Sequence, residues 1–306
     1  MLDGYGREIR YLRVSVTDKC NLACVYCKPR PVKQLRHEDM LSIEQLVEVV
    51  RAFRGLGVEK VRVTGGEPLL RHGVVAFVEQ VAALGCQTVM TTNATRLKEF
   101  AKPLKVAGLA RINVSLDTVD SDIYRDVTRG EISDALEGIR AAEEEGFSLR
   151  INAVLQKGVN EDIMPLLEFA EDVGAQLRFI ELMPFRSTTG YFADRFLPSS
   201  DIIEKYGMKR LFGEGVAEYY AFDGHTVGFI SPLGNKFCDS CERMRLTGTG
   251  MVLPCLHSGL RFDVRPYLGD EEKLSAFLEE CIKAKPRSHL IEEGELQSED
   301  MGSIGG

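Results

Sequence analysis

The amino-acid sequence predicts an α/β fold, an incomplete (βα)6 TIM-like barrel of parallel strands and helices. Through the first 185 residues, apolar and β-branched runs alternate with amphipathic helical stretches, as in repeated βαβ units. Glycines follow five of these helical stretches, where a residue that tolerates a left-handed backbone commonly ends a helix. The predicted strands alternate polar and apolar residues, unlike strands that are buried on both faces. One face of the sheet is therefore expected to contact helices, and the other to face a polar space.

The predicted elements follow one another in order along the barrel. The strands are expected near residues 11–17, 60–64, 88–93, 111–117, 149–156 and 176–183. The helices are expected near residues 42–56, 73–84, 97–107, 132–145 and 162–173. After residue 184 the alternation stops: residues 185–200 predict a loop, and one further helix is expected over residues 271–284. We therefore assign residues 1–220 to a partial barrel and residues 221–306 to a C-terminal region that closes its mouth.

The polar face of the sheet predicts a curved rather than a flat arrangement. In the first two strands, polar residues at positions 13, 15, 17, 60, 62 and 64 alternate with apolar ones. A flat sheet with one face in water would give the same pattern, but helical connections between parallel strands usually cover both faces. An open barrel with a polar lumen, and with ligands at the carboxyl ends of its strands, satisfies both observations.

Composition and charge exclude several classes of protein. Hydrophobic residues make up 44% and charged residues 27% of the chain, which are ordinary values for a globular protein. The net charge of −8 disfavours a broad nucleic-acid-binding face. No apolar run reaches the roughly 18 residues of a membrane span, and the N-terminus does not resemble a secretory signal. We expect a cytoplasmic protein without membrane or nucleic-acid partners, whose eight cysteines are ligands or catalysts rather than disulfides.

The first cysteine triplet, Cys20, Cys24 and Cys27, has C-x3-C-x2-C spacing directly after the first strand. Three thiolates from one short loop can hold three irons of a 4Fe–4S cluster and leave the fourth iron open for a small molecule. Zinc is the main alternative, but structural zinc sites use four ligands and this loop offers three cysteines. The spacing favours an iron–sulfur cluster.

The second triplet, Cys238, Cys241 and Cys255, has C-x2-C-x13-C spacing. It could hold a second cluster with an open iron, or a zinc ion completed by His257. Cys86 and Cys281 are isolated and are expected to be ordinary buried cysteines.

Three motifs resemble those of a known family. Residues 12–29, LRVSVTDKCNLACVYCKP, resemble the signature of the radical S-adenosylmethionine (SAM) superfamily, and residues 65–68 resemble its GGEP motif. Residues 238–256, CDSCERMRLTGTGMVLPCL, together with the terminal Gly-Gly, resemble the GTP 3′,8-cyclase family of molybdenum cofactor biosynthesis. The resemblance extends over essentially the whole chain.

The resemblance implies a set of residues that bind SAM. The cofactors would be SAM and two 4Fe–4S clusters, and the cluster on the first triplet would bind SAM at its open iron and cleave it to a 5′-deoxyadenosyl radical. The positions that match SAM-binding residues of the family are Tyr26, Gly65, Gly66, Glu67, Ser115 and Met183.

The resemblance also implies GTP as the substrate. The radical would take a hydrogen from ribose C3′, after which C3′ attacks C8 of the guanine held at the second cluster. The matching GTP-binding positions are Arg13, Lys60, Arg62, Thr91, Lys157, Arg178, Arg243 and Arg245. The residues themselves support this, because several basic side chains on one lumen face need an opposite charge such as a triphosphate. Arg245, Gly305 and Gly306 are the implied catalytic residues.

Several expectations accompany this assignment. An electron donor, a homodimer and a functional link to cyclic pyranopterin monophosphate synthase are implied by relatives. Ala94 stands where the family usually has glycine, which puts the local turn in doubt. The alternatives are a radical SAM enzyme that modifies peptides or proteins and carries an auxiliary cluster, and a non-enzymatic electron carrier or zinc-binding module.

Overall fold

The barrel is built from six parallel strands that follow the chain in order. The structure, a computed structural model, describes residues 1–27, 36–289, 291 and 296. All six strands are hydrogen-bonded to their sequence neighbours in parallel register. They are β1 (Tyr11–Ser15), β2 (Lys60–Thr64), β3 (Gln87–Thr92), β4 (Arg111–Ser115), β5 (Ser148–Leu155) and β6 (Gln176–Glu181). The predicted parallel α/β barrel is confirmed.

Helices connect the strands and cover the apolar face of the sheet. Each predicted barrel helix forms within a few residues of its expected bounds, and helix α1 begins with a capping box in which Ser42 and Gln45 bond each other's backbone N–H groups. The helices are α1 (Ile43–Gly55), α2 (Val74–Ala83), α3 (Leu97–Val106), α4 (Ser121–Thr128), α5 (Ile132–Glu144), α6 (Met164–Asp172), α7 (Thr189–Arg195), α8 (Ser199–Lys205) and α9 (Glu271–Lys283). No helix in the described part of the chain is long and apolar enough to span a membrane.

The remaining strands extend the sheet at both of its edges. They are β7 (Lys209–Glu214), β8 (Ala217–Phe222), β9 (His225–Ile230), β10 (Arg243–Leu246), β11 (Met251–Leu253) and β12 (Phe262–Asp263). Strand β9 pairs parallel to β6, and β10 pairs parallel to β1. The order β12-β11-β10-β1-β2-β3-β4-β5-β6-β9-β8-β7 leaves the barrel open, with C-terminal strands flanking it on both sides.

Three features of the fold differ from the sequence prediction. Helix α4 lies in the connection between β4 and α5, where the sequence predicted a single helix. The stretch 185–200, expected to be a loop, contains α7 and the start of α8. The antiparallel strands β7 to β9 were not predicted; every residue of β7 is exposed, so this strand shows no alternation of buried and exposed residues.

The apolar core lies between the sheet and the helices. Leu12, Val14, Val61 and Val63 on β1 and β2 are completely buried and pack against this layer. The intervening residues of the same strands face the lumen, as the period-2 pattern predicts. The lumen is therefore the polar, ligand-facing side of the sheet.

Candidate active site

The first cysteine triplet lies in the loop that follows β1. Backbone bonds from Ala23 N–H to Thr128 O (2.9 Å) and from Val25 N–H to Val127 O (3.0 Å) hold this loop on α4. Burial of the Cys24 sulfur raises the pKa of its thiol well above the usual range, and the nearby Cys27, Asp117 and Cys20 raise it further. A thiol that is costly to ionise in this way is suited to cationic iron, which stabilises the thiolate.

Each triplet offers three cysteines as ligands. In residues 1–27, 36–289, 291 and 296, no group of three His, Cys, Asp or Glu side chains is placed to hold a single metal ion. Structural zinc sites use four ligands. Three thiolates can hold three irons of a 4Fe–4S cluster, so the donor set of each triplet fits such a cluster.

The GGEP segment braces the first cysteine loop from the neighbouring strand. The Gly66 N–H donates to Thr17 O (2.7 Å), and the Glu67 N–H donates to Lys19 O (2.7 Å). A Cβ on Gly65 would lie 2.6 Å from Thr17 O, and one on Gly66 would lie 2.3 Å from Lys19 O. Only glycine permits this approach, so the motif fixes the residues that lead into Cys20.

Glu67 links this segment to the end of β3. Its buried carboxylate accepts hydrogen bonds from Leu69 N (3.0 Å), Thr92 Oγ1 (2.8 Å) and Asn93 N (2.8 Å). Burial raises the pKa of Glu67 to about 7. The same contacts fix the turn at Ala94, which keeps a left-handed φ of 65° despite its side chain. The missing family glycine therefore leaves the turn intact, at a backbone cost on the order of 1–2 kcal/mol.

The other SAM-site candidates lie around the same end of the barrel. The Tyr26 hydroxyl donates to Asp117 Oδ2 (2.7 Å), whose other oxygen accepts from Val154 N (2.7 Å). Burial raises the pKa of Asp117 to about 6. Ser115 is the exposed last residue of β4, and the half-buried Met183 packs against the small apolar cluster that contains Phe185. The sequence analysis missed Asp117, although its place at the end of a strand could have indicated it.

Strand register brings the GTP-site arginines together. Arg13 on β1 stands directly between Arg62 on β2 and Arg245 on β10. Burial lowers the pKa of Arg13 well below its usual range, and Arg245, Arg62 and Arg243 lower it further. Burial also lowers the pKa of Arg245 to about 10, with Arg243 contributing. The neighbouring positive charges repel one another, so this row is suited to binding a polyanion.

Tyr11, which the sequence analysis missed, lies at the centre of these cations. It stands between Lys60 and Arg243 in the register, and its hydroxyl accepts a hydrogen bond from Arg62 Nε. The charges of Lys60, Arg62 and Arg243 lie 5.2, 5.8 and 5.8 Å from its ring centre. Burial alone would raise the pKa of the Tyr11 phenol, but Arg62, Arg13 and Arg243 together lower it to about 7. Tyr11 therefore orders the basic row.

The other predicted GTP-binding residues lie around this row. Arg62 Nη1 donates to Thr91 Oγ1 (2.7 Å), which places Thr91 at the site. Arg178 on β6 is separate from the row and is paired with Glu214 (2.8 Å), which also pairs with Arg150 (2.6 Å). Lys157 is exposed just beyond the carboxyl end of β5.

Arg111 and Arg150 also line the lumen and were not singled out by the sequence analysis. Burial lowers the pKa of Arg111, and the charges of Arg150, Arg62 and Arg178 lower it further. Arg111 thus joins the Arg178 group to the central row. Their positions near the starts of strands gave no motif by which to recognise them.

The second cysteine triplet adjoins the arginine row. Cys238 and Cys241 lie in a 3-10 turn just before β10, and Cys255 follows β11. Burial would raise the pKa of Cys241, but Lys285 and Arg243 lower it overall. Burial raises the pKa of Cys255, and Arg245 opposes this increase. The second triplet and the arginine row therefore lie next to each other.

The remaining predicted residues fall into three groups. His257 is buried beside Cys255, and neither of its ring nitrogens has a hydrogen-bond partner among the described residues. Cys86 and Cys281 are buried in the apolar core, as expected. Gly305 and Gly306 lie outside the described residues.

Comparisons with known proteins cover the whole chain. A family model described as "Radical SAM superfamily" matches residues 14–170, and one described as "Molybdenum Cofactor Synthesis C" matches residues 175–291. The chain is 40% identical to the GTP 3′,8-cyclase of Peptoclostridium acidaminophilum, covering 100% of this chain and 98% of the relative. It is 39% identical to that of Pelotomaculum thermopropionicum, covering 100% of both chains.

Solved structures share the fold. A crystal structure of Streptococcus suis SuiB bound to S-adenosylmethionine matches with a TM-score of 0.68 and 17% identity, covering 92% of this chain and 68% of that chain. At this identity the likeness shows the fold alone. The family match rests instead on the full-length relatives and on the two family models, which divide the chain between them. The chain therefore belongs to the GTP 3′,8-cyclase family within the radical SAM superfamily.

Proposed function

We propose that this protein converts GTP to 3′,8-cyclo-7,8-dihydro-GTP, the first step of molybdenum cofactor biosynthesis. The row of Arg62, Arg13 and Arg245 beside the second cysteine triplet is the observation that carries this proposal. A triphosphate has the negative charge that complements this row, and a guanine attached to it would lie toward the triplet. GTP carries both groups in one molecule.

The arginines bind and orient the nucleotide. Arginine forms charge-assisted, often bidentate hydrogen bonds with phosphate oxygens. Tyr11 and Thr91 already bond Arg62, so less side-chain freedom is lost when the phosphate binds. Arg178, Lys157 and Lys60 would contact the outer parts of the same polyanion. We assign Arg245, whose charge opposes the rise in the pKa of Cys255, to fixing the nucleotide during cyclisation.

The first triplet and the GGEP segment form the SAM side of the site. Gly65, Gly66 and Glu67 brace the cysteine loop, and Tyr26 lies within that loop. We assign Ser115, at the end of β4, and Met183, just after β6, to the binding of SAM. When bound, the reduced cluster and SAM supply the radical that removes a hydrogen atom from the ribose. We propose, as a further hypothesis, that Gly305 and Gly306 enter this site.

Several further properties stay predictions. We propose a cytoplasmic enzyme, reduced by a separate electron donor, that forms a homodimer. Its unstable product would pass to cyclic pyranopterin monophosphate synthase. We also propose that the chain divides at residue 220 into a barrel and a second-cluster region, because the alternation of strands and helices stops before that point in the sequence.

The proposal is tested by product analysis with single nucleotides. The anaerobically reconstituted, reduced protein is incubated with SAM and with GTP, ATP, CTP or UTP. We expect 5′-deoxyadenosine with GTP alone, together with a product of the same mass as GTP that contains a new carbon–carbon bond. Formation of 5′-deoxyadenosine without consumption of any nucleotide would point to a peptide or protein substrate and contradict the proposal.

A pair of variants tests the role of the arginine row. Arg13→Met removes the central cation, whereas Arg140→Met removes an exposed arginine of α5 that pairs with Asp172. We expect Arg13→Met to weaken GTP binding at least tenfold and Arg140→Met to leave it unchanged. Equal GTP affinity in both variants would show that the arginine row does not bind GTP.

A further inference from the structure

Lys285 is a buried cation in contact with the second cysteine triplet. It lies just after α9 and is only 3% exposed. Its Nζ donates to Arg243 O (2.7 Å) and to Pro254 O (2.6 Å). Burial would raise the pKa of the Cys241 thiol, but the nearby charge of Lys285 lowers it. Since Arg243 follows Cys241 by two residues and Pro254 precedes Cys255, one ammonium group holds both ligand segments.

Arg7, from the opposite end of the chain, holds the third cysteine. Its guanidinium donates to Cys238 O (2.8 Å), Arg287 O (2.8 Å) and Pro286 O (2.7 Å). It therefore ties the Cys238 turn to the same segment that carries Lys285. The N-terminal and C-terminal segments of the chain together brace all three cysteines.

The two cations differ in how their charge is neutralised. Arg7 is paired with the buried carboxylate of Asp3 at 2.6 Å. For Lys285, the described part of the chain provides no carboxylate within ion-pair distance, and its hydrogen-bond partners there are two backbone carbonyls. A buried ammonium is costly without an opposite charge. The negative charge closest to Lys285 is therefore that of the cysteine thiolates.

A positive charge and a hydrogen bond at a ligand sulfur both affect an iron–sulfur cluster. The reduction potential of a cluster depends on its net charge and on hydrogen bonds to its sulfurs. A cation favours the reduced state, which carries one more negative charge. Arg7 and Asp3 together are neutral, so they can position the ligands but change the potential little.

We infer that Lys285 is a positioning residue of the second cluster that holds Cys241 and Cys255 in place and raises the reduction potential of that cluster. This inference rests on the proposed function, because it requires a cluster at the second triplet. It goes beyond that function in assigning the control of this cluster to one residue outside the cysteine motif. The first cluster, bound by another loop, is not affected.

The decisive variant is Lys285→Met, which keeps the length of the side chain but removes its charge. Lys283→Met is the matched control, because Lys283 lies two residues earlier, is exposed and pairs with Glu280. Both full-length proteins are reconstituted anaerobically, and potentiometric titration followed by electron paramagnetic resonance gives the potential of each cluster. We expect at least a tenfold lower equilibrium constant for reduction of the second cluster in Lys285→Met, or about 59 mV for one electron. The first cluster and the control should be unchanged.

A second measurement tests the inference if the Lys285→Met variant does not fold. In wild-type protein labelled with 15N-lysine, pulsed electron paramagnetic resonance of the second cluster should detect a coupling to the 15N nucleus of Lys285. This coupling should be absent from the labelled Lys285→Arg variant. Absence of this coupling from the wild type would overturn the inference, as would an unchanged potential in an iron-loaded Lys285→Met. A wild-type protein that binds only one cluster would instead overturn the proposed function, so the two failures are distinguishable.

Discussion

Gly66→Ala should disrupt the first cluster by steric overlap rather than by backbone strain. The new Cβ would lie 2.3 Å from Lys19 O, 2.6 Å from Lys19 C and 2.7 Å from Asp18 O, all of them backbone atoms that cannot rotate away. Ordinary contact begins near 3.4 Å, so the two segments must separate by about 1.1 Å (3.4 − 2.3). Overpacking of this kind costs about 1–3 kcal/mol. Loss of the two backbone bonds to Thr17 and Lys19 adds about 1–3 kcal/mol.

The displaced residues lead directly into Cys20, so the expected readout is loss of iron. We expect iron to fall from about eight to about four per chain after anaerobic reconstitution, with loss of SAM cleavage. Gly55→Ala is the matched control, because Gly55 lies in the last turn of α1 and no atom stands within 4 Å of the position that its new Cβ would take. That variant should keep full iron and gain up to about 1 kcal/mol of stability. Gly66→Ala with full iron and normal SAM cleavage would refute the steric reasoning.

Three further predictions concern charge, pH and the isolated cysteines. Arg62→Met removes the donor to Tyr11 and should weaken GTP binding by about tenfold to a hundredfold in equilibrium binding measurements, with a smaller salt dependence; unchanged affinity would contradict the assignment. Burial raises the pKa of Glu67 from 4.5 to about 7, so its ionisation destabilises the folded state as pH rises through that window. The unfolding free energy of the wild-type apoprotein relative to Glu67→Gln should therefore fall by about 2–3 kcal/mol between pH 5 and pH 8, and denaturant titrations showing a constant difference would count against this. Cys86→Ala and Cys281→Ala should keep the full iron content measured by colorimetric assay, because both thiols lie in the apolar core, and iron loss would show a ligand role.

The sequence predicted secondary structure best where a short repeat of polar and apolar residues is visible within one segment. Strands β1 to β6 were predicted because their residues alternate between an apolar helix-covered face and a polar lumen, and this period of two is visible along any one segment. Helix α4 was missed because it is only eight residues long, which leaves little room for a helical period to show. The antiparallel strand β7 was missed because its residues are all exposed and carry no alternation.

In the candidate site, too, local features were predictable from the sequence and contacts between distant segments were not. The cysteine spacings and the GGEP motif are local, so their chemistry could be predicted from the chain alone. Tyr11 could not, because its role arises from Lys60 and Arg243 beside it on β2 and β10, strands that are far apart in sequence. Ala94 was doubted on local grounds, yet its left-handed turn persists because contacts of Glu67 with the preceding residues hold it.

By itself, the sequence determined the chemical types present: two cysteine triplets, a glycine pair and a set of lumen-facing cations. Their residue types and short spacings are written in the covalent chain. Only the tertiary structure decided which of these groups meet. It set Arg13 between Arg62 and Arg245, and it brought Lys285 and Arg7 from the two ends of the chain onto the second triplet. Such contacts depend on strand register and on packing between distant segments, which side-chain periodicity within one segment does not specify.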